Sequence, residues 1–324
     1  MTTDIFALGT FSDGSHTSWT GVIRDRQVAR LSDLVAGAPV RFEDLFNDWN
    51  GWVDRIAEVL LAAPTVTWIS ETELNVELAY RPDNLFGAGA NYRRHVVELI
   101  VDKGVGGVKH LDAEARRAFG EKLMDERAST GKPFIFTAAR GAIIGARDVL
   151  TVPYDTTEPD WELELAVVIS RPARRVPLSQ ALTYVAGYTI ANDITSRELV
   201  DRPDVPQMGM DWFACKSAAG YKILGPYVTP ARFVSDPQDL RLRLALNGDV
   251  MQDEGSDDMI FGVARLIEFI SSHTLLRPGD VIMTGSPSGN GTHYDRYLRD
   301  GDVMIGEIEG LVGHQQTRCR LESL

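Results

Sequence analysis

Cysteine is nearly absent: Cys215 and Cys319 are the only two in 324 residues. Two thiols cannot build the disulfide framework of a small secreted domain or a thiolate metal site, so a reducing compartment, the cytoplasm, is the expectation. No stretch approaches the roughly 20 apolar residues of a membrane-spanning helix, and no membrane partner is expected. The opening Met1-Thr2-Thr3-Asp4-Ile5 lacks the basic and apolar segments of a secretory signal. Positive charge is also scarce, with 33 Lys and Arg against 46 Asp and Glu for a net charge of −13. Nucleic acid and anionic lipid both need clustered Lys and Arg and are excluded on that ground, whereas a small anion held by local cations is not.

What is present is the composition of an ordinary globular protein, 44% hydrophobic and 24% charged, in a chain long enough for one large domain and a smaller one. Residues 1–78 read as a separate small unit, with short strands at 5–8 and 20–23 and one or two helices ending near Leu61. Trp52, Ile56, Val59 and Leu60 supply the helical spacing. His16, among Ser and Gly, reads as a surface histidine. A turn at 81–84 opens the second unit, 79–324. An excursion over about 99–132 carries Gly104, Gly106 and Gly107 and then a charged helix at 113–123; a lid and a plain surface excursion fit it equally. From Phe134 onward short strands split by turn residues dominate, with residues 264–270 the clearest helix. The fold class expected is mainly β with α, an α+β protein built on a sandwich or rolled sheet rather than a parallel α/β sheet.

Two carboxylates stand out in this β-rich half. Residues 163–169 are aliphatic and β-branched and read as a strand, in which alternate side chains share a face, so Glu162 and Glu164 point the same way. They suit either the wet face of an edge strand or a buried site. Uncompensated burial of two like charges would cost several kcal/mol, a penalty that a divalent cation removes. Mg²⁺ and Ca²⁺ take oxygen ligands, and Asp193, ending a second apolar run at 184–191, offers a third carboxylate. Elsewhere small residues at 87–90 precede a helix bearing His95 and Glu98. Three residues apart, these can touch, and a carboxylate beside an imidazole suits a base that activates water. A helix-surface ion pair is the competing reading. His293 follows a glycine-rich turn near the expected mouth of the site. His110 reads as surface, His273 and His314 as structural, Asp257-Asp258 as a solvated turn, and Cys215 as a small buried residue.

Taken in order, the motifs Asn-Tyr-x-x-His-x-x-Glu from Asn91, Asp-Trp-Glu-x-Glu-Leu-x-Val-Val-Ile from Asp160, Gly-Tyr-x-x-x-Asn-Asp-x-x-x-Arg from Gly187, Lys216-Ser217, and Thr-Gly-x-Pro-x-Gly from Thr284 resemble the fumarylacetoacetate hydrolase family over roughly residues 80–324. The resemblance implies a catalytic domain with a mixed β-roll or β-sandwich, a bound Mg²⁺ with Mn²⁺ or Ca²⁺ as alternatives, and a homodimer. It implies Glu162, Glu164 and Asp193 as metal carboxylates and His95 with Glu98 as the water-activating dyad. Lys216 would stabilise a departing enolate, and Arg197 would hold the dyad or a substrate oxygen, unless it pairs with Glu198 or Asp201. Asn91, Tyr92, Thr284 and Gly285 would touch substrate. The expected activity is hydrolysis of a C–C bond in an acylpyruvate-like or other diketo acid, with isomerisation, hydration or decarboxylation of a 2-oxo acid, or an idle ligand-binding module, as alternatives. Val200 stands where family hydrolases often carry Gln, and Thr137 where a lysine is common, so substrate shape is expected to differ.

Overall fold

The computed structural model describes residues 5–14 and 17–323; His16 lies outside the described residues. The first part of the chain forms a five-stranded sheet from Ala7–Ser12, Trp19–Arg24, Gln27–Arg30, Ile69–Ser70 and Asn75–Glu77, accompanied by helix α1, Trp49–Leu61. Asp48 caps α1 through its side chain, accepting from the Gly51 amide, and Trp49, Val53, Ile56 and Leu60 form its buried stripe. This unit has a sheet of its own but not a core of its own. Phe6, Leu8, Val22, Leu45 and Ile56 share one apolar cluster with Ala166, Val168, Val281 and Met283 of the following sheet.

That following sheet is mixed and organises the rest. Seven of its eight strands are β1 (Leu85–Gly89), β2 (Phe134–Thr137), β3 (Ile143–Gly145), β4 (Leu163–Ile169), β5 (Val185–Asp193), β6 (Lys222–Leu224) and β7 (Val281–Met283), in the order β2-β1-β7-β4-β5-β6-β3, and the short Thr229–Pro230 pairs antiparallel with β5. The β1–β7 and β6–β3 pairs are parallel and the others antiparallel. β4 is therefore central, covered on both faces, and every one of its residues is buried. This explains why it reads as a near-continuous apolar run.

One face of β4 carries Leu163, Leu165, Val167 and Ile169, which pack with Leu242, Leu244, Met304 and Ile308 of a second, five-stranded sheet. The opposite face carries Ala166 and Val168 against the N-terminal unit. Strand parity puts Glu162 and Glu164 on this second face. The β4–β5 register pairs Leu163 with Asn192 and Glu164 with Ala191, so Asp193 comes up on the same face as the two glutamates. The wet edge strand is thus excluded.

Above this end of the sheet sits a helical hairpin, α2 (Arg93–Lys103) and α3 (Ala113–Thr130), closed by Val96, Val97, Ile100, Val108 and Met124. The excursion expected after Glu98 begins only at Gly104, a left-handed C-cap, because α2 runs on to Lys103. Gly120 lets the helices approach closely: a Cβ there would lie 3.3 Å from Ile100 and 3.4 Å from the Val97 backbone. Helices α4 (Trp212–Lys216) and α5 (Val263–His273) complete the architecture, an α+β fold of mixed sheets with helices.

Candidate metal centre and its surroundings

Glu162, Glu164 and Asp193 converge, each offering a carboxylate oxygen within 4.8 Å of the others, and all three are buried. Their support is as local as their placement. The Asn192 amide oxygen accepts from the Glu162 N–H at 2.9 Å, and the Asp193 N–H donates to the Glu162 carbonyl at 2.8 Å. The Gly285 N–H donates to Glu164 at 2.6 Å.

Three cations enter the cluster. Lys216 Nζ donates to Glu162 Oε2 and Asp193 Oδ2, both at 2.6 Å, and to Thr195 Oγ1 at 2.7 Å. Arg197 spans Asp160 through Nε at 2.8 Å and Glu162 through Nη2 at 2.5 Å. Neither Glu198 nor Asp201 is its partner; the guanidinium turns inward because Asp160 and Glu162 are buried and need it. Lys222 Nζ lies 2.5 Å from Asp193 Oδ1 without hydrogen-bond alignment, so that buried oxygen keeps an unfilled acceptor direction.

Four carboxylates here face three basic side chains. Burial opposes the ionisation of Glu162, but Arg197 and Lys216 outweigh it and hold its carboxyl well below the usual carboxylate range. Glu164 has no such partner. Burial, then the charges of Asp193 and Glu162, push its carboxyl well above the usual range, and Lys216 and the Gly285 N–H only partly offset them. An oxygen-only donor set, buried and with an unfilled acceptor on Asp193, fits a hard divalent cation.

His95 projects from α2, 7% exposed, with Nδ1 lacking any hydrogen-bond partner among the described residues. Burial pushes its imidazole down to about 4, with the Glu162 charge opposing and Arg197 and Lys216 assisting. It is therefore neutral near pH 7. Among the described residues no hydrogen bond or ion pair joins it to Glu98. Glu98 faces the other way, 3.9 Å from His293 Nδ1, which is itself 3.0 Å from Asp102. The contact expected from helical spacing is thus not made, because His293, brought over by the Gly291–Tyr294 turn of helix, competes for the same carboxylate.

Residues expected to touch substrate are built into the wall. The Asn91 amide donates to the Phe261 and Thr284 carbonyls and accepts from the Phe261 N–H. Tyr92 is fully buried, and Thr284 Oγ1 donates to the Leu165 carbonyl at 2.9 Å. Lys216 Nζ is 5.4 Å from the Phe136 ring and 5.6 Å from that of Trp212, two rings that stack on each other. Cys215 is buried and its thiol is pushed up to about 11 by burial, as suits a packing residue. A cavity of about 960 Å³ lies elsewhere, lined by Glu71, Arg147 and His314, and touches none of this chemistry.

Several residues that the sequence reading passed over do much of the holding. Asp160 accepts from Gly291 N, Thr292 N and Thr292 Oγ1 besides Arg197. Gln252 ties the Leu163 N–H to Ser286 Oγ and the Pro287 carbonyl. Thr195 and Lys222 belong to the cluster itself. A polar residue inside an apolar strand, as Lys222 is between Tyr221 and Ile223, was the available signal.

A mixed sheet whose central strands carry a buried oxygen-donor centre beneath a helix-borne neutral imidazole defines an α+β class with a cation site at a sheet end. The model of the fumarylacetoacetate (FAA) hydrolase C-terminal family matches residues 84–318, and the chain belongs to that family. It is 31% identical over 269 residues to a maleylpyruvate hydrolase of Aquipseudomonas alcaligenes, covering 83% of each chain. To a mitochondrial oxaloacetate tautomerase of Bos taurus it is 35% identical over 182 residues, 56% of this chain and 57% of that one. In fold it is similar to the fumarylacetoacetate hydrolase of Exiguobacterium antarcticum, with TM-score 0.75, 24% identity and coverage of 98% of this chain and 100% of the other. The maleylpyruvate hydrolase of Sphingobium sp. SYK-6, solved with manganese(II) and pyruvate, gives TM-score 0.73 at 22% identity, again covering 98% and 100%.

Proposed function

We propose that this chain is a divalent-metal-dependent hydrolase that cleaves a C–C bond in an acylpyruvate-like or other diketo acid. The observation that carries the reading is the buried convergence of Glu162, Glu164 and Asp193. The relative named maleylpyruvate hydrolase supports the substrate class. Glu162, Glu164 and Asp193 would hold the cation, which when bound would supply a Lewis acid and template for a 2-oxo acid. His95, neutral and with a free nitrogen, takes the proton of the attacking water. Glu98 serves it once turned from His293. Lys216 donates to the oxygen on which enolate charge develops when the C–C bond breaks. Arg197 keeps Glu162 ionised and oriented. Magnesium as the resident ion, a homodimer and a cytoplasmic site of action belong to the same proposal; they rest on the all-oxygen donors, the family resemblance, and the scarcity of cysteine.

A second reading, isomerisation of a 2-oxo acid, is favoured by one observation: Glu98 is not on His95, and moving a proton between carbon and oxygen needs no activated water. The tautomerase relative is consistent with it. Product analysis on metal-loaded protein with a panel of 2,4-dioxo and 2-oxo acids separates these readings. Two fragments mean hydrolysis, a rearranged acid isomerisation, and released CO₂ decarboxylation. Inertness toward the whole panel overturns the enzymatic proposal in favour of a binding module.

A further inference from the structure

Asn290 stands between the two halves of the site. The Gly289 carbonyl before it accepts from Trp161 Nε1 at 3.1 Å, and the Gly291 and Thr292 N–H groups after it donate to Asp160, so this segment is pinned beside Glu162. Three residues on, His293 reaches Glu98 and Asp102 on α2, the helix that carries His95. Asn290 therefore lies where the chain climbs from the carboxylates to that helix. It is 1% exposed, and its Nδ2 has no hydrogen-bond partner among the described residues. An asparagine at the N-cap of a helical turn ordinarily bonds its side chain back to the turn's own amides. Here that bond is not made, because Asp160 already holds the amides of Gly291 and Thr292. A buried amide N–H without an acceptor is costly, so its retention beside a candidate site calls for an acceptor from outside the chain.

We propose that Asn290 is a specificity-determining residue whose Nδ2 donates to an oxygen on the fourth carbon of a 2-oxo acid, so that the site selects 2,4-dioxo acids over 2-oxo acids of the same length. This rests on the 2-oxo acid reading given above. An acid whose carboxylate and keto oxygens are held at the carboxylate centre must bring its fourth carbon to His95 for water to add there, and that carbon's oxygen then rises along the path that residues 289–293 follow. A neutral amide suits a neutral carbonyl oxygen. A distal carboxylate would call for a cation, and Arg197 and Lys216 are both committed to Glu162. An acid lacking the fourth-carbon oxygen leaves the buried donor unpaired, which is how a polar site rejects such an analogue.

The test is titration calorimetry on the full Mn²⁺-loaded chain with 2,4-dioxopentanoate and with 2-oxopentanoate, in a His95→Ala background so that the first acid is not consumed, adding Asn290→Leu or Asn290→Ala to that parent. Both substitutions are expected to weaken 2,4-dioxopentanoate about tenfold and 2-oxopentanoate less than about twofold. Any other pattern, equal weakening of both acids or no change in either included, overturns the proposal. Melting of the ligand-free chain gives a second readout: Asn290→Leu should melt at or above the parent's temperature, since it removes a buried donor that has no partner. Marked destabilisation or failure to fold in both variants also overturns the proposal, because Asn290 would then hold the fold rather than the ligand. If the parent takes up neither acid with Mn²⁺ present, the 2-oxo acid reading falls and this inference with it; if it binds them and the substitutions do not discriminate, only the role of Asn290 falls.

Discussion

On the sheet side of the site, Glu162, Glu164 and Asp193 take their positions from strand parity and register, and each is tied to backbone or cation within one residue of a strand. On the helix side, His95 has an unpartnered nitrogen, and Glu98 leans toward His293 and Asp102. A pleated strand in a central position leaves its side chains no alternative direction, whereas a helix surface offers a long carboxylate several partners within reach. The carboxylate floor is thus fixed by the sheet, whereas the helix side, its roof, leaves Glu98 a choice of partners.

The sharpest way to break this contrast is to remove a floor carboxylate. Glu164→Ala should lower turnover on the order of 10³-fold or more and abolish the rise in melting temperature that Mn²⁺ gives wild type. In metal-free protein, Glu164→Gln should instead raise the melting temperature, since burial and then the charges of Asp193 and Glu162 disfavour the carboxylate form. On the roof, His95→Ala should cost about 10²- to 10⁴-fold in kcat while leaving the Mn²⁺ dissociation constant unchanged. Glu98→Gln then sharpens the comparison. A loss as large as that of His95→Ala shows the dyad assembling during turnover, whereas a loss under about tenfold assigns Glu98 to the His293 pair.

Gly285 joins floor and wall. Its φ is +95°, and a Cβ there would lie 2.9 Å from the Ala88 carbonyl, so Gly285→Ala should destabilise the fold by about 1–3 kcal/mol in chemical denaturation and loosen Glu164.

Acid should expose the roof. The His95 imidazole takes its proton near 6.5 when unfolded but only at about 4 when folded. Between these values the unfolded chain binds the extra proton, so this contribution to stability is complete above pH 6.5 and is lost as pH falls toward 4. Melting of metal-free protein across that window should show the decline, and His95→Phe should flatten it. The smallest effect expected is that of His293→Gln, a few-fold in kcat/KM, because Asp102 and Glu98 are both partly open to water and screened.

Much of the sheet side is legible in the chain itself. The two-residue spacing of Glu162 and Glu164 in an apolar run gives them one face, while burial of that face comes from the central place of β4 in the sheet. Helix α1 is legible through Trp52, Ile56 and Leu60, and its end at Leu61 through the loss of that spacing. The separateness of residues 1–78 is not legible. The sequence marks a turn at 81–84, but whether two apolar surfaces stay apart or merge depends on what each one meets, and here they merge over Ala166 and Val168.

The site follows the same division. Periodicity is a local property, so the order of residues along the chain already settled which carboxylates share a face and where a base could ride on a helix. Selection among partners is not local. Glu98 is three residues from His95 but finds His293, nearly two hundred residues later; Arg197 passes over Glu198 and Asp201 for Asp160 and Glu162; and Lys222 meets Asp193 only because β6 pairs with β5 in that register. Buried charges take the partner that removes most desolvation, and which partner that is depends on distances that only the folded sheets and helices create.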